Sequence, residues 1–123
     1  MREARGELAA ARDLLQGGHW SWCCFTSQQV GEQALKAVCE RLRLPHHGHN
    51  LNMLRADVEG RVAVSDHVRM ACARLTRHYT STRYPDAFDR GAPVEQFYEG
   101  DAHQALQDAE EVLDFAEGAI GPP

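Results

Sequence analysis

Residues 19–43 predict one long helix, because small and apolar side chains recur there at the spacing of a helical face. One side of this helix collects seven such residues: Cys24, Ser27, Gly31, Ala34, Leu35, Val38 and Leu42. Most of them are small, so a neighbouring helix can approach closely. The other side carries Phe25, Glu32 and Lys36, which we expect to face outward, with Glu32 and Lys36 forming an ion pair on the helix surface.

Four further stretches predict helices. Residues 2–16 are amphipathic and end at the Gly17-Gly18 pair, and His49–Glu59 predicts a short helix that Gly60 closes. Two longer helices occupy the second half of the chain.

The first of these two helices is capped by Ser65 or Asp66 and is ended by Pro85. Residues 86–99 predict a loop, and the last helix begins near Asp101. No stretch shows the alternation of a strand. We therefore predict an all-α fold, an up-and-down antiparallel bundle of four long helices plus one short helix.

The composition fits a single domain over residues 1–123, with 43% hydrophobic and 25% charged residues. This excludes a disordered tail, a fibre and a small disulfide scaffold. No apolar run approaches the ~20 residues of a membrane span, and no secretory signal is recognisable, so we expect a cytoplasmic protein. The four cysteines are expected to be small buried hydrophobes.

The charge is unevenly distributed along the chain, whose formal net charge is -5. Residues 41–90 carry nine basic and five acidic side chains, whereas residues 91–123 carry eight acidic side chains and no lysine or arginine. The basic middle segment is suited to an anion or a nucleic acid. The acidic segment predicts a solvated helix face.

Four motifs occur in a fixed order along the chain. Within residues 24–37 an aromatic residue precedes Gln28-Gln29, then Glu32, then Ala34-Leu35-Lys36-Ala37. The others are His49-Asn50-Leu51 with Leu54, Arg83-Tyr84-Pro85-Asp86, and the Ala/Glu-rich run from Asp101 to Leu113. Together they resemble the signature of the HEPN family, the higher eukaryote and prokaryote nucleotide-binding domain, over nearly the whole chain.

The resemblance implies a bundle of four or five helices that is commonly dimeric. It also implies nucleotide binding, partnership with minimal nucleotidyltransferases and, in some branches, metal-independent RNA cleavage. Those RNase branches carry an arginine, a polar residue and then a histidine four to six residues on. Here Arg61 and His67 have the gap, but Val62 follows the arginine. We therefore assign no catalytic residue; an RNase would use His78, Arg77 and Arg83.

Candidate binding residues cluster in the basic middle of the chain. Arg69, Arg77 and Arg83 are expected along one groove as phosphate ligands, with Tyr84 as a stacking surface. His49 is a further phosphate or nucleotide candidate. The alternatives are salt-bridged arginines, a tyrosine that packs, and an imidazole that caps the short helix.

Two other features bear on ligands and partners. Trp22 and Phe25 predict a homodimer interface, or else a surface that a neighbouring loop or helix covers. His46, His47 and His49 are close in sequence, but adjacent histidines seldom converge on one metal, so we expect neither a metal nor a cofactor.

Three functions remain open. The first is a nucleotide- or phosphate-binding module, or the partner of a separate minimal nucleotidyltransferase in a toxin-antitoxin-like pair. The second is a metal-independent RNase toxin that acts across a dimer cleft. The third is a helical interaction module without a small-molecule ligand.

Overall fold

The computed structural model describes residues 1–83 and 97–121, with the backbone alone for residues 80–83. This part of the chain is helical and contains no strand. Its five helices are α1 Arg2–Gln16, α2 Trp20–Arg41, α3 Leu51–Glu59, α4 Asp66–Arg83 and α5 Glu99–Ile120. The predicted all-α fold is confirmed, and the predicted long helix ends two residues earlier than expected.

The four long helices alternate in direction around the bundle. Arg5 and Arg12 of α1 pair with Glu117 and Glu110 of α5, so these two helices are antiparallel. Arg74 of α4 pairs with Asp108 of α5, and His78, further along α4, interacts with Asp101, which comes earlier in α5. These two helices are therefore antiparallel as well. The thiol of Cys23 donates to the carbonyl of Ala102 at 3.7 Å, which brings the first turns of α2 and α5 together. The chain therefore runs up and down through α1, α2, α4 and α5.

The central contact of the bundle lies between α2 and α5, which pack along small side chains. The fully buried small residues on these two helices include Cys23, Cys24, Ser27, Ala34, Ala102, Ala105, Ala109 and Ala116. Their size lets the two helix axes approach closely, while α1 and α4 flank the pair. The predicted small-residue face of α2 is therefore confirmed.

Gly31 lets two more helices pack against the middle of α2. A Cβ at this position would lie 2.6 Å from Cδ2 of Leu51 and 3.2 Å from Cδ1 of Leu75. Both leucines are fully buried, at the start of α3 and in the middle of α4. A side chain at residue 31 would therefore push α3 and α4 outward.

Side-chain caps fix the starts of α3 and α4. Oδ1 of Asn50 accepts hydrogen bonds from the backbone N–H groups of Asn52 and Met53 at 2.9 and 3.2 Å. The alternative in which the His49 imidazole caps α3 is wrong, because Asn50 performs that role. Oγ of Ser65 accepts from the N–H of Val68 at 3.2 Å, as predicted.

The four cysteines are free and buried, as expected. Burial raises the pKa of the Cys24 thiol and of the Cys72 thiol to about 12. No helix in residues 1–83 and 97–121 combines the length and the apolar character that crossing a bilayer requires.

Candidate functional site

A buried carboxylate on α2 holds the imidazole of His49. Nδ1 of His49 lies 2.9 Å from Oε2 of Glu32, and the Glu32 side chain is 8% exposed while that of His49 is 46% exposed. The expectation that Glu32 faces outward is therefore wrong. Its carboxylate is covered because the segment leading into α3 folds back against α2.

Glu32 accepts hydrogen bonds at both carboxylate oxygens. Oε2 also accepts from Nζ of Lys36 at 2.9 Å, and Oε1 accepts from Nε2 of Gln28 at 3.2 Å. Burial is the largest influence on the pKa of Glu32 and raises it, but the hydrogen bonds from Lys36, His49 and Gln28 together outweigh burial and lower the pKa. Glu32 is therefore ionised at neutral pH, and its predicted pair with Lys36 is a partly buried one.

Three elements fix the position of the His49 ring. The His49 carbonyl accepts from Nε2 of Gln28 on α2 at 3.3 Å. The N–H of Leu51, at the start of α3, donates to Oγ1 of Thr76 on α4 at 3.1 Å. The ring itself stacks on Tyr79 of α4, with centroids 4.4 Å apart and planes at 12°. We call Glu32, Lys36, His49 and Tyr79 the Glu32–His49 site.

The charge on Glu32 determines which nitrogen of neutral His49 carries the proton. An ionised carboxylate only accepts hydrogen bonds, so Nδ1 must be the protonated nitrogen. Nε2 then holds a lone pair at the opposite corner of the half-exposed ring. No residue in the described part of the chain hydrogen-bonds to Nε2. The ring can therefore accept a hydrogen bond when neutral and donate one to a phosphate when protonated.

A second polar cluster lines a groove of about 150 Å³ between α4 and α5. Nε and Nη2 of Arg74 donate to the carboxylate of Asp108 at 2.9 and 2.8 Å, and Nε2 of Gln104 donates to it at 3.0 Å. Asp108 is 3% exposed, so its carboxylate neutralises Arg74 inside the bundle. Arg77 and Asp101 line the same groove, where Arg77 is exposed.

His78 lies beside Arg77 in this groove. Its ring is 5.9 Å from that of Phe97, with planes at 56°. Burial lowers the pKa of His78, the charge of Asp101 opposes that effect and the charge of Arg77 adds to it. His78 is therefore a neutral imidazole at neutral pH, next to a guanidinium.

The structure places the other predicted phosphate ligands on different parts of α4. Arg69 lies two turns before Arg77 and pairs with Glu59 and Asp66. The Arg69 and Arg55 guanidiniums lower the pKa of Glu59 to about 2. Arg69 therefore contacts the end of α3, and Arg77 lies in the α4–α5 groove. His49 packs against the opposite side of α4, where it stacks on Tyr79.

Two predicted ligands fall at the end of α4. Arg83 is its last residue, four positions after Tyr79, so its backbone lies on the same side of the helix as Tyr79. The side chain of Arg83 and all of Tyr84 lie outside the described residues.

The predicted interface aromatics pair with each other at the start of α2. The rings of Trp22 and Phe25 meet edge to face at 6.4 Å, and Trp22 is 60% exposed. His46 lies 3.3 Å from Glu40. Within the described ranges, no three His, Cys, Asp or Glu side chains are arranged to hold a metal ion.

Comparison with known proteins identifies the family. The sequence profile of the HEPN domain matches residues 1–119. The chain belongs to the HEPN domain family. The resemblance inferred from the four motifs is confirmed, and two of the motifs, containing Glu32 and His49, meet physically at the Glu32–His49 site of this HEPN domain.

Solved structures and a named relative match this chain over most of its length. The crystal structure of TT1696 from Thermus thermophilus is 33% identical, with a TM-score of 0.87 over 96% of this chain and 93% of that one. An archaeal HEPN homologue is 29% identical, with a TM-score of 0.79 over 98% and 93%. A Methanocaldococcus jannaschii protein named as a candidate toxin is 26% identical over 93% of this chain and 81% of its own length.

Sequence reasoning missed the partners of His49. Gln28, Glu32 and Lys36 are spaced by four residues, so they follow one line along α2. Such a line of polar residues beside an apolar helix face could have indicated that another segment of the chain covers these side chains. Tyr79 gave no comparable signal, because an aromatic residue at its position also fits ordinary core packing.

Proposed function

We propose that this HEPN domain is the toxin-type member of a two-protein pair and that it binds the phosphate of a nucleotide or an RNA near the C-terminal end of α4. Its partner would be a minimal nucleotidyltransferase. The observation that carries the binding proposal is the half-exposed His49 imidazole, held at 2.9 Å by a buried carboxylate. The toxin-type role is supported by the name of the Methanocaldococcus jannaschii relative.

The cations around this end of α4 support the proposal. Lys36 lies at the Glu32–His49 site, and exposed Arg77 lies on the other side of the helix. Arg83 ends the helix, and Tyr84 follows it. Phosphates are bound by such cations, and a histidine fixed by a carboxylate adds a directional hydrogen bond.

The binding proposal is tested by titrating the protein into a fluorescein-labelled RNA of ten nucleotides, with ATP as a competitor. We expect His49→Ala and Arg77→Gln each to weaken RNA binding about 3- to 10-fold, the range for losing one net hydrogen bond. Arg12→Gln is the control, because Arg12 is an exposed arginine on α1 that pairs with Glu110. Arg69→Gln shows whether the surface extends to the end of α3. Absence of binding to either ligand contradicts the proposal.

A second candidate function is metal-independent RNA cleavage in the α4–α5 groove. The specific observation is the neutral imidazole of His78 beside Arg77. A neutral imidazole can accept a proton, and a guanidinium can stabilise a phosphorane-like transition state. Incubation with RNA in EDTA tests this function: His78→Ala abolishes cleavage if it is correct. His103→Ala, at an exposed histidine on α5, is the control.

We further propose that two copies of the chain associate through Trp22 and Phe25. The Trp22 indole is 60% exposed in a single chain, and burying its apolar surface in an interface would stabilise a dimer. Sedimentation velocity is expected to show a dimer that Trp22→Ser dissociates. Met53→Ser, at a comparably exposed apolar side chain on α3, is the control. A monomeric wild-type protein at micromolar concentration contradicts this proposal.

A further inference from the structure

We propose that His49 is a specificity-determining residue that recognises the 2′-hydroxyl of a ribonucleotide, and that Glu32 is the positioning residue that aims its Nε2 for this purpose. This inference rests on the proposed nucleotide or RNA binding and defines which sugar the site selects. It assigns a role to the one ring nitrogen of His49 that the network around Glu32 leaves unused.

The imidazole is fixed more firmly than a surface histidine requires. Its Nδ1 is bound to a carboxylate that is itself bound by Lys36 and Gln28. Its backbone carbonyl is bound by the same Gln28 side chain, and one face of its ring is covered by Tyr79. Rotation of the ring would break the bond to Glu32 and the stacking together. Nε2 is therefore preorganised before any ligand arrives.

The tautomer selects the chemistry of the ligand. With Nδ1 donating to Glu32, neutral His49 presents a lone pair at Nε2, so the ligand must supply a hydrogen-bond donor. A phosphate that carries no proton is only an acceptor and does not satisfy this lone pair. In the sugar-phosphate backbone of RNA the 2′-hydroxyl is the donor, and DNA lacks it.

The neighbouring ammonium supports a ribonucleotide over other donors. Nζ of Lys36 and Nδ1 of His49 bind the same oxygen of Glu32, so an ammonium belongs to the same cluster and lies on the Nδ1 side of the ring. A 2′-hydroxyl has a phosphate on the adjacent 3′ carbon of an RNA chain. The site therefore offers an acceptor for the hydroxyl at Nε2 and an ammonium in the same cluster that can attract the phosphate. An amino group of a base would use the acceptor but would bring no phosphate to Lys36, which Glu32 already pairs.

The decisive experiment compares four ten-nucleotide ligands of one sequence on the wild-type protein at pH 8: RNA, DNA, 2′-fluoro RNA and 2′-O-methyl RNA. The 2′-fluoro sugar keeps a ribose-like shape but has no O–H, so it separates the donor from the shape of the backbone. We expect RNA to bind about 3- to 10-fold more tightly than the three ligands that lack the donor, the range for one net hydrogen bond.

Equal affinity for RNA and 2′-fluoro RNA overturns the inference and leaves the proposed binding function intact. Absence of binding to all four ligands overturns both. His49→Ala is expected to lower the RNA affinity to that of DNA while the DNA affinity stays within about twofold. A variant that keeps the full preference for RNA also overturns the inference.

The positioning role of Glu32 has a spectroscopic signature. Long-range ¹H–¹⁵N spectra at pH 8 are expected to show the Nδ1–H tautomer for His49 in the wild-type protein. Glu32→Leu, which removes the acceptor, is expected to shift the ring toward the Nε2–H tautomer and to abolish the preference for RNA. Glu40→Leu, the same substitution at an exposed acid near the end of α2, is the control. An Nε2–H tautomer in the wild type overturns the role of Glu32, and the ligand series on the wild type decides the role of His49 even if Glu32→Leu does not fold.

Discussion

At the scale of single residues, two buried carboxylates organise the polar contacts in the described part of this bundle. Glu32 accepts hydrogen bonds from Lys36 and His49, and Asp108 accepts them from Arg74 and Gln104. Removing a carboxylate from water is unfavourable unless donors replace the lost solvent. Each acid therefore has several donors, and each lies where a helix meets a neighbouring segment.

Asp108→Asn is expected to destabilise the protein by about 1–3 kcal/mol. The amide offers one acceptor oxygen in place of two, so the paired bonds from Arg74 cannot both persist. The loss falls below that of a fully buried pair because the Arg74 side chain is 35% exposed and water reaches it. Urea unfolding measures the change. Asp114→Asn, at an exposed acid on the same helix, is the control, and equal stabilities of the two variants would contradict the assigned role of Asp108.

The four thiols are expected to be unreactive in the folded protein. All are buried, and burial raises their pKa values, those of Cys24 and Cys72 to about 12. Because the thiolate is the reactive form, we expect labelling by a thiol reagent at pH 8 to be at least about 100-fold slower than in guanidinium. Rapid labelling of one thiol in the native protein would show that its helix opens locally.

At the scale of helices, sequence periodicity determined the elements but not what covers their edges. The small-residue face of α2 and the cap at Ser65 were predictable, because both depend on neighbours a few residues away. The burial of Glu32 was not, since it depends on His49 returning to α2 from 17 residues away. The partner of Arg69 was not predictable for a similar reason, because Glu59, which pairs with it, lies on α3.

Gly31→Ala is expected to destabilise the bundle by about 1–3 kcal/mol through overpacking. The added methyl would lie 2.6 Å from Leu51, which is fully buried and cannot move aside freely. Gly118→Ala is the matched control, because a Cβ there meets nothing within 4 Å in α5. That variant is expected to gain about 0.5–1 kcal/mol from helix propensity. Stabilisation by both substitutions in urea unfolding would show that α3 and α4 do not pack closely on Gly31.

At the scale of the whole molecule, charges that are segregated in sequence are mixed in space. The acidic helix α5 lies between helices that supply arginines, Arg5 and Arg12 from α1 and Arg74 from α4. The expectation that the acidic segment is a solvated face is therefore wrong for Asp108 and incomplete for Glu110 and Glu117. The net charge of -5 is carried by a molecule whose opposite charges are paired across helices.

The free energy of unfolding is expected to decrease in two stages as the solution is acidified. His78 and Glu32 both have a pKa that folding lowers, from 6.5 and 4.5 respectively. In each case the unfolded chain binds the proton more readily, so the stability that the group contributes is complete above its unfolded pKa and is lost as pH falls through the folded one. His78, which faces Arg77, Asp101 and Asp108, is expected to govern the first stage below pH 6.5, and Glu32 and Glu59 both contribute to the second below pH 4.5.

Urea unfolding between pH 8 and pH 4 is expected to show that His78→Gln flattens the first stage while His103→Gln leaves it unchanged. An undiminished first stage in His78→Gln would assign that loss of stability to another group, because a side chain that cannot take up a proton contributes no slope with pH.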